Sequence, residues 1–586
     1  MALNLALPRT SGVLVIALAF LPLILAHGSG YDESETSGHG NEHSEYNKIK
    51  TDAEYPPTYF AHIDHVSVIY AHIVIMALAW VFVLPVAVML SLARSRYTLA
   101  LQFVFLATNA VGLFVGAIYN AQTPDLYPNN AHHNLGWVVT WIVVAQVLVS
   151  AIGWVAGAVA RTMKHSDRSN QAFLSVSTNT SHENRYRMHE NYRASDPYRL
   201  SGDSGQDAET TTESVRHSSA STLYGADDTP LQGPNKEYDE EDEDLESMLL
   251  SSQTPKTTLG RQAARVVASR VWIYLNIGSQ VIDRAILPLG FVSLTSGIVT
   301  FGRFFEGTEI FNGLAHWVKG GVFFWLGLFT LSRWSGSFAE VGWAWNVRPQ
   351  KSVRKWKPSA EFVESALIFF YGSVNIFLEH LSGWGGKWTA QDMEHVSITV
   401  LFIGGGLCGM LVESTRIRDL LNTTIDKSET NHSYVDEEAD QSFPPETYEF
   451  SLNPIPALVI LLLGIMMSSH TQNTMISSMV HKQWGNLLLG ASLARGMTYL
   501  LMFLKPPKSI LPSRPPTELL ASFGLISGGI IFMASAGDTV RGMIHYDLDA
   551  MFMYTVTMGL VGLLMAWEVI VLAIKGWAVR RERCRE

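Results

Sequence analysis

The chain has 586 residues, of which 47% are apolar and 16% charged, and a formal net charge of -11 at pH 7. That balance over such a length excludes a small soluble core and points to lipid as the main solvent. Much of the negative charge lies in one run, Glu237 to Glu246, which reads as a solvated segment and offers no basic face for nucleic acid.

The first 26 residues carry Arg9, an apolar core from Val13 to Leu25, and Ala26 before polar sequence. This is the layout of a secretory signal peptide, with cleavage expected near Ala26. The His-rich and acidic segment 27–61 then faces the lumen or exterior.

Spans of about 20 apolar residues cross a hydrocarbon core of about 30 Å. They are expected near 66–92, 99–119 and 134–160, and then near 284–304, 314–333, 361–381, 395–415, 454–470, 484–504, 517–537 and 550–575. The fold class is therefore all-α, a polytopic transmembrane bundle of about eleven helices in groups of three and eight. The first group occupies 62–164 and the second 263–579. Between them, 165–262 is rich in Ser, Thr, Asp and Glu and reads as a disordered cytosolic loop.

Basic residues fall in alternate connections, at Arg94 and Arg96, Arg161 and Lys164, Arg348 to Lys357, Arg416 and Arg418, and Lys505 to Arg514. The positive-inside rule then places the N terminus outside and the basic tail 580–586 in the cytosol, in an endomembrane or the plasma membrane. Sequons at Asn422 and Asn431 would need a lumenal position, against that topology. Cys408 and Cys584 are too few for a disulfide framework or a thiolate zinc site, and Cys584 is a candidate for lipidation.

With this topology, histidines at helix ends gather on the lumenal side. In the first group these are His62, His65, His72, His132 and His133. In the second they are His316, His380, His395, His470, His481 and His545, with Glu379 and Glu394 beside two of them. Histidine at such a boundary is a candidate haem ligand, metal ligand, proton carrier or plain interfacial residue. His65 and His72 share a helix face two turns apart, and His72 lies about 9 Å inside its helix while His132 and His133 look superficial. A haem between them requires either an earlier start to the third helix or His65 as the partner. Glu379, His380, Glu394, His395, His316, His470 and His481 are candidate ligands for a Zn, Cu or Fe ion, without the spacing of an established motif.

Arg495 lies near the membrane middle, where an unpaired cation is expensive, so it is expected to face the bundle and to reach Glu364, Glu413 or Glu568. Gly404, Gly405 and Gly406, inside an apolar span, read as close helix packing.

The run from Ala71 to Arg96, with His72 and Pro85, resembles the histidine helix of cytochrome b-561-type proteins. His132 and His133, followed by Gln146, resemble that family's later helix. The resemblance implies a b-type haem with His72 and either His132 or His133 as axial ligands. The intervening helix, with Gln102 and Asn109, has no histidine, so at most one haem is implied and electron transfer across the bilayer is not. The whole chain resembles more closely the fungal Ytp-one family, through residues 123–133, 313–325 and 479–485. That implies a cytochrome b-561-like N-terminal domain joined to a family-specific C-terminal domain.

Three functions stay open from sequence: a redox protein exchanging electrons with a lumenal donor or metal ion, a divalent-metal handling or transport protein, and a structural or sorting protein without cofactor. The absence of phosphate-loop, nucleophile-elbow and kinase motifs argues against an ATP-driven pump or a hydrolase.

Overall fold

A computed structural model describes residues 55–173, 270–307, 309–347, 358–378, 388, 390–429, 446–469, 472 and 474–585. The signal segment, most of the His-rich segment and of the loop 165–262, and Asn431 lie outside them. The described residues are helical, without strands.

The helices are α1 (Val66–Leu92), α2 (Thr98–Gln122), α3 (His132–Phe173), α4 (Arg270–Gly302), α5 (Glu309–Ser335), α6 (Ala360–Leu378), α7 (Ala390–Glu413), α8 (Thr415–Glu429), α9 (Ile455–Ser469), α10 (Met475–Leu504), α11 (Pro516–Ala534), α12 (Gly537–His545) and α13 (Ala550–Arg583). Among the described residues, nine are long and apolar enough to cross a membrane. The expected spans at 361–381 and 454–470 are helices as well, α6 and α9. Residues 361–378 of the one and 455–469 of the other are helical, and the 15 residues of α9 reach only about 22 Å.

Two boundaries differ from the sequence reading. The third helix starts at His132, earlier than 134, and the fourth starts at Arg270 instead of 284, which places Asp283 within a helix. Polar residues interleave with apolar ones through Asn276, Ser279 and Gln280, so hydropathy alone misses that first half.

The chain forms two units. The smaller, 151–275, includes the end of α3 and the start of α4, where Trp272 lies against Gly153. The larger comprises 1–150 and 276–586. In it, α1 is continuous but passes through a π-helical turn at Leu78–Val83. Pro85 follows, lacking an N–H and crowding the carbonyl four residues back, that of Val81. Trp567 of α13 donates its Nε1–H to that carbonyl at 2.9 Å. Replacing Trp567 by Phe will leave the Val81 carbonyl without this donor and lower stability by about 1–3 kcal/mol. A lower thermal midpoint in detergent is the expected result; an unchanged midpoint would show that the carbonyl is satisfied otherwise.

Small residues let the C-terminal helices approach closely, as expected where lipid removes the hydrophobic drive for association. A Cβ on Gly529 would lie 2.6 Å from the Gly320 carbonyl oxygen, and one on Gly464 2.7 Å from that of Gly485. Of the glycine run on α7, Gly405 meets Val459 and Gly406 meets Phe369, whereas Gly404 has open space. Trp484 is fully buried and stacks on Phe532 with ring centres 4.0 Å apart.

The starts of α1, α3, α5 and α10 lie together at one end of the bundle, where their histidines meet. The end of α5 and the starts of α6 and α11 lie at the other. Asn422, on α8 directly after α7, is at that second end, as is the basic tail. The sequon is thus on the same side as Arg580, Arg581 and Arg583.

Candidate functional site

His72 and His132 come together with ring centres 6.5 Å apart and ring planes at 82°. Both rings are held in the same way. His72 donates Nδ1–H to the Gly112 carbonyl on α2 at 2.8 Å and lies over Gly116, one turn further along, where an added Cβ would be 2.7 Å from Nδ1. His132 Nδ1 is 3.0 Å from Ser296 Oγ on α4, and its ring lies over Gly297, where a Cβ would be 3.0 Å from Cε1.

These bonds fix the tautomers. A carbonyl oxygen only accepts, so His72 Nδ1 carries the proton and Nε2 keeps its lone pair. The Ser296 hydroxyl donates to the Ser293 carbonyl at 2.7 Å, so its oxygen accepts from His132 Nδ1. Each histidine therefore presents an Nε2 lone pair, oriented by a hydrogen bond behind it, as metal-ligating imidazoles are.

The early start of α3 brings His132 level with His72. His133, the next residue, is exposed and meets Trp137 at 6.5 Å between ring centres. His65 is exposed in the left-handed backbone position before α1, and His62 Nε2 is 3.9 Å from Asp64 Oδ2. Neither joins the pair. Below His72, a polar chain ties the first three helices: Trp80 Nε1 donates to Asn109, and Asn109 Nδ2 donates to Thr140.

A second pair forms in the C-terminal helices. His316 of α5 and His481 of α10 have ring centres 6.0 Å apart at 84°. Each Nδ1 donates to its own helix, His316 to the Asn312 carbonyl at 2.9 Å and His481 to the Ser477 carbonyl at 2.8 Å. Again Nε2 is the basic nitrogen. His395 on α7 lies within electrostatic range of His316, and Glu394 adjoins it in the chain. Glu379, His380 and His470 lie outside the described residues. Among the described residues, no group of three or more His, Cys, Asp or Glu could hold a metal ion.

Aromatic residues layer this end. Tyr55 stacks on His545, which lies on α12, at 4.2 Å. Burial, then the nearby Tyr546 and Asp538, push the Tyr55 hydroxyl up to about 12. Asp538 accepts from the Phe305 backbone N–H at 2.7 Å, pinning the connection after α4.

At the opposite end, Arg495 belongs to a buried network. Its Nη2 donates to Thr330 Oγ1 at 3.0 Å, Nη1 is 3.6 Å from Glu364, and Nε is 2.8 Å from Glu518 without hydrogen-bond alignment. Arg333 donates to Glu361 at 2.8 Å, to Glu364 at 3.3 Å and to the Trp343 carbonyl at 2.7 Å. Trp345 lies under both guanidiniums, 4.6 Å from Arg333 and 5.7 Å from Arg495. Of the carboxylates expected for Arg495, only Glu364 is a partner. Glu413 accepts from Ser359 and Ser451, and Glu568 from Ser332.

Comparison with known proteins gives this architecture a family. Residues 289–576 match the model described as protein YTP1-like, C-terminal, and residues 53–155 match a domain of unknown function, DUF2427. An uncharacterized membrane protein of Schizosaccharomyces pombe is 32% identical over 527 residues, covering 87% of this chain and 94% of that one. The chain belongs to the YTP1-like family of membrane proteins. An uncharacterized membrane protein of Saccharomyces cerevisiae is 36% identical over 372 residues, 60% of this chain and 57% of that one. Protein YTP1 of the same yeast is 25% identical over 177 residues, 30% of each chain. No solved structure matches the chain. In this YTP1-like protein the His72–His132 pair draws on both matched segments: the two histidines and Gly116 fall in the first, Ser296 and Gly297 in the second.

Proposed function

We propose that this YTP1-like protein is a one-face redox protein of the secretory or plasma membrane that holds a single b-type haem between His72 and His132. The observation that carries the reading is the pair itself: two oriented Nε2 lone pairs from different helices, with ring centres 6.5 Å apart. A haem would be held by His72 and His132 through those two nitrogens.

Ligand number favours haem over a bare ion at this pair. A porphyrin leaves two positions for protein ligands, whereas a structural zinc site takes four. When bound, the haem supplies one-electron chemistry. The protein contributes His72 and His132 as ligands, Gly112 and Ser296 as acceptors that fix their tautomers, and Gly116 and Gly297 as the space in which the rings lie. One such site near one end leaves most of a hydrocarbon core of about 30 Å uncrossed, so electron exchange is with a donor, or a metal ion as substrate, on the histidine side. By the charge rule that side is lumenal.

Absorption spectra of the purified protein from haem-replete cells, before and after dithionite, test this. A Soret band with reduced haem bands, lost on His72→Ala and on His132→Ala but kept on His133→Ala, is expected. No haem bands, or bands indifferent to both ligand variants, would sink the proposal.

A metal-handling alternative would draw on the His316–His481 pair, with His395 in electrostatic range of His316. Elemental analysis of haem-free protein should then find zinc, copper or iron that His481→Ala removes; equal metal in that variant counts against it.

A further inference from the structure

Asp283 is buried on α4 and both its carboxylate oxygens accept hydrogen bonds, Oδ2 from Ser91 Oγ at 2.7 Å and Oδ1 from Gln146 Nε2. With both oxygens engaged as acceptors of neutral donors, the group is arranged as the anion. Yet among the described residues no Lys or Arg nitrogen lies within ion-pair distance of it. Arg284, next in the chain, instead donates to the Gln280 carbonyl at 2.6 Å. A buried ionised carboxylate without an ion-pair contact is expensive.

A second buried acceptor lies close by. Gln102 is 6% exposed, and its Oε1 has no hydrogen-bond partner. Gln102, Gln146 and Asp283 line one cavity of about 10 Å³, otherwise walled by apolar side chains such as Phe105 and Val143. That is about the smallest volume that admits one water-sized guest. The site thus combines a buried carboxylate without an ion-pair contact among the described residues, an unused carbonyl oxygen and room for a single small occupant.

We infer that Asp283, Gln102 and Gln146 form a binding site for one dehydrated alkali-metal cation between α1, α2, α3 and α4. Oxygen donors suit a hard cation. The volume and the single charge select a monovalent ion: magnesium keeps several waters and calcium takes six to eight oxygens, neither of which fits here. Bound there, the ion neutralises Asp283 and ties α4 to the three N-terminal helices.

Thermal unfolding of the full-length protein in detergent, in NaCl, KCl or choline chloride at equal concentration, tests this. An ion that binds only the folded state raises the midpoint in a concentration-dependent way. The midpoint is expected to be higher in NaCl or KCl than in choline chloride, and Asp283→Asn to abolish the difference. Because Asn needs no counter-charge, that variant should be at least as stable as the parent in choline. Gln102→Leu, which keeps the charge, should raise the half-effective cation concentration about tenfold. Equal midpoints in all three salts, as with water alone in the cavity, would overturn the site, and so would a cation effect that survives in Asp283→Asn.

Discussion

Replacing Arg495 by Met will destabilise the protein by about 3–5 kcal/mol, the range for breaking a buried ion pair from one side. The side chain is 8% exposed and lies against Glu364 and Glu518, the latter fully buried. Without Arg495, Glu518 loses its cation, Glu364 keeps only Arg333, and the Thr330 hydroxyl loses a donor. The thermal midpoint in detergent should fall sharply. Combining Arg495→Met with Glu518→Gln should recover much of the loss, because the second change removes the charge the first one stranded. Coupling between neighbours in one network makes such non-additivity the diagnostic quantity. Additive losses would mean that the two residues act independently despite their 2.8 Å contact.

Gly116→Ala will empty the proposed haem site while leaving the fold intact. The added Cβ would be 2.7 Å from His72 Nδ1 and 2.8 Å from Cε1, so the ring must leave its position and its bond to the Gly112 carbonyl. The imidazole is the free end of a side chain and can swing away. Alanine also favours the helix over glycine by roughly 0.5–1 kcal/mol, so the bundle should not weaken. Loss of such a support behind a metal-bound histidine typically costs 10- to 100-fold in occupancy or activity. Haem per protein should therefore drop by at least about tenfold, and the haem-free variant should be at least as thermally stable as the haem-free parent. Full haem content in this variant would place the haem away from His72.

The bundle was largely legible in the sequence because lipid imposes long apolar runs, and each of the eleven expected spans is a helix. The pairing of His72 with His132 was legible as a possibility obstructed by depth. The start of α3 at His132 removes the obstacle, and nothing in the hydropathy of residues 128–134 signals it. Arg495 was conspicuous because it lies mid-span, but most of its network was not. Glu361 and Glu518 occupy first helical turns and Arg333 a last turn, where such charges complement the helix dipole and look ordinary. Asp283 escaped notice because the first half of its helix is too polar to count as a span.

The Val81 carbonyl shows what no local pattern carries. Pro85 announces that a carbonyl four residues earlier will need a new partner. Its donor, Trp567, is 486 positions away, so only the folded bundle reveals it.

Electron paramagnetic resonance of the oxidised, purified protein tests the central claim most directly. Two imidazoles on one ferric haem give a six-coordinate low-spin signal, and ring planes near 82° predict the strongly anisotropic form of it. That signal should vanish with His72→Ala and with His132→Ala. A haem-free protein, or a low-spin signal unchanged by both substitutions, would contradict the assignment.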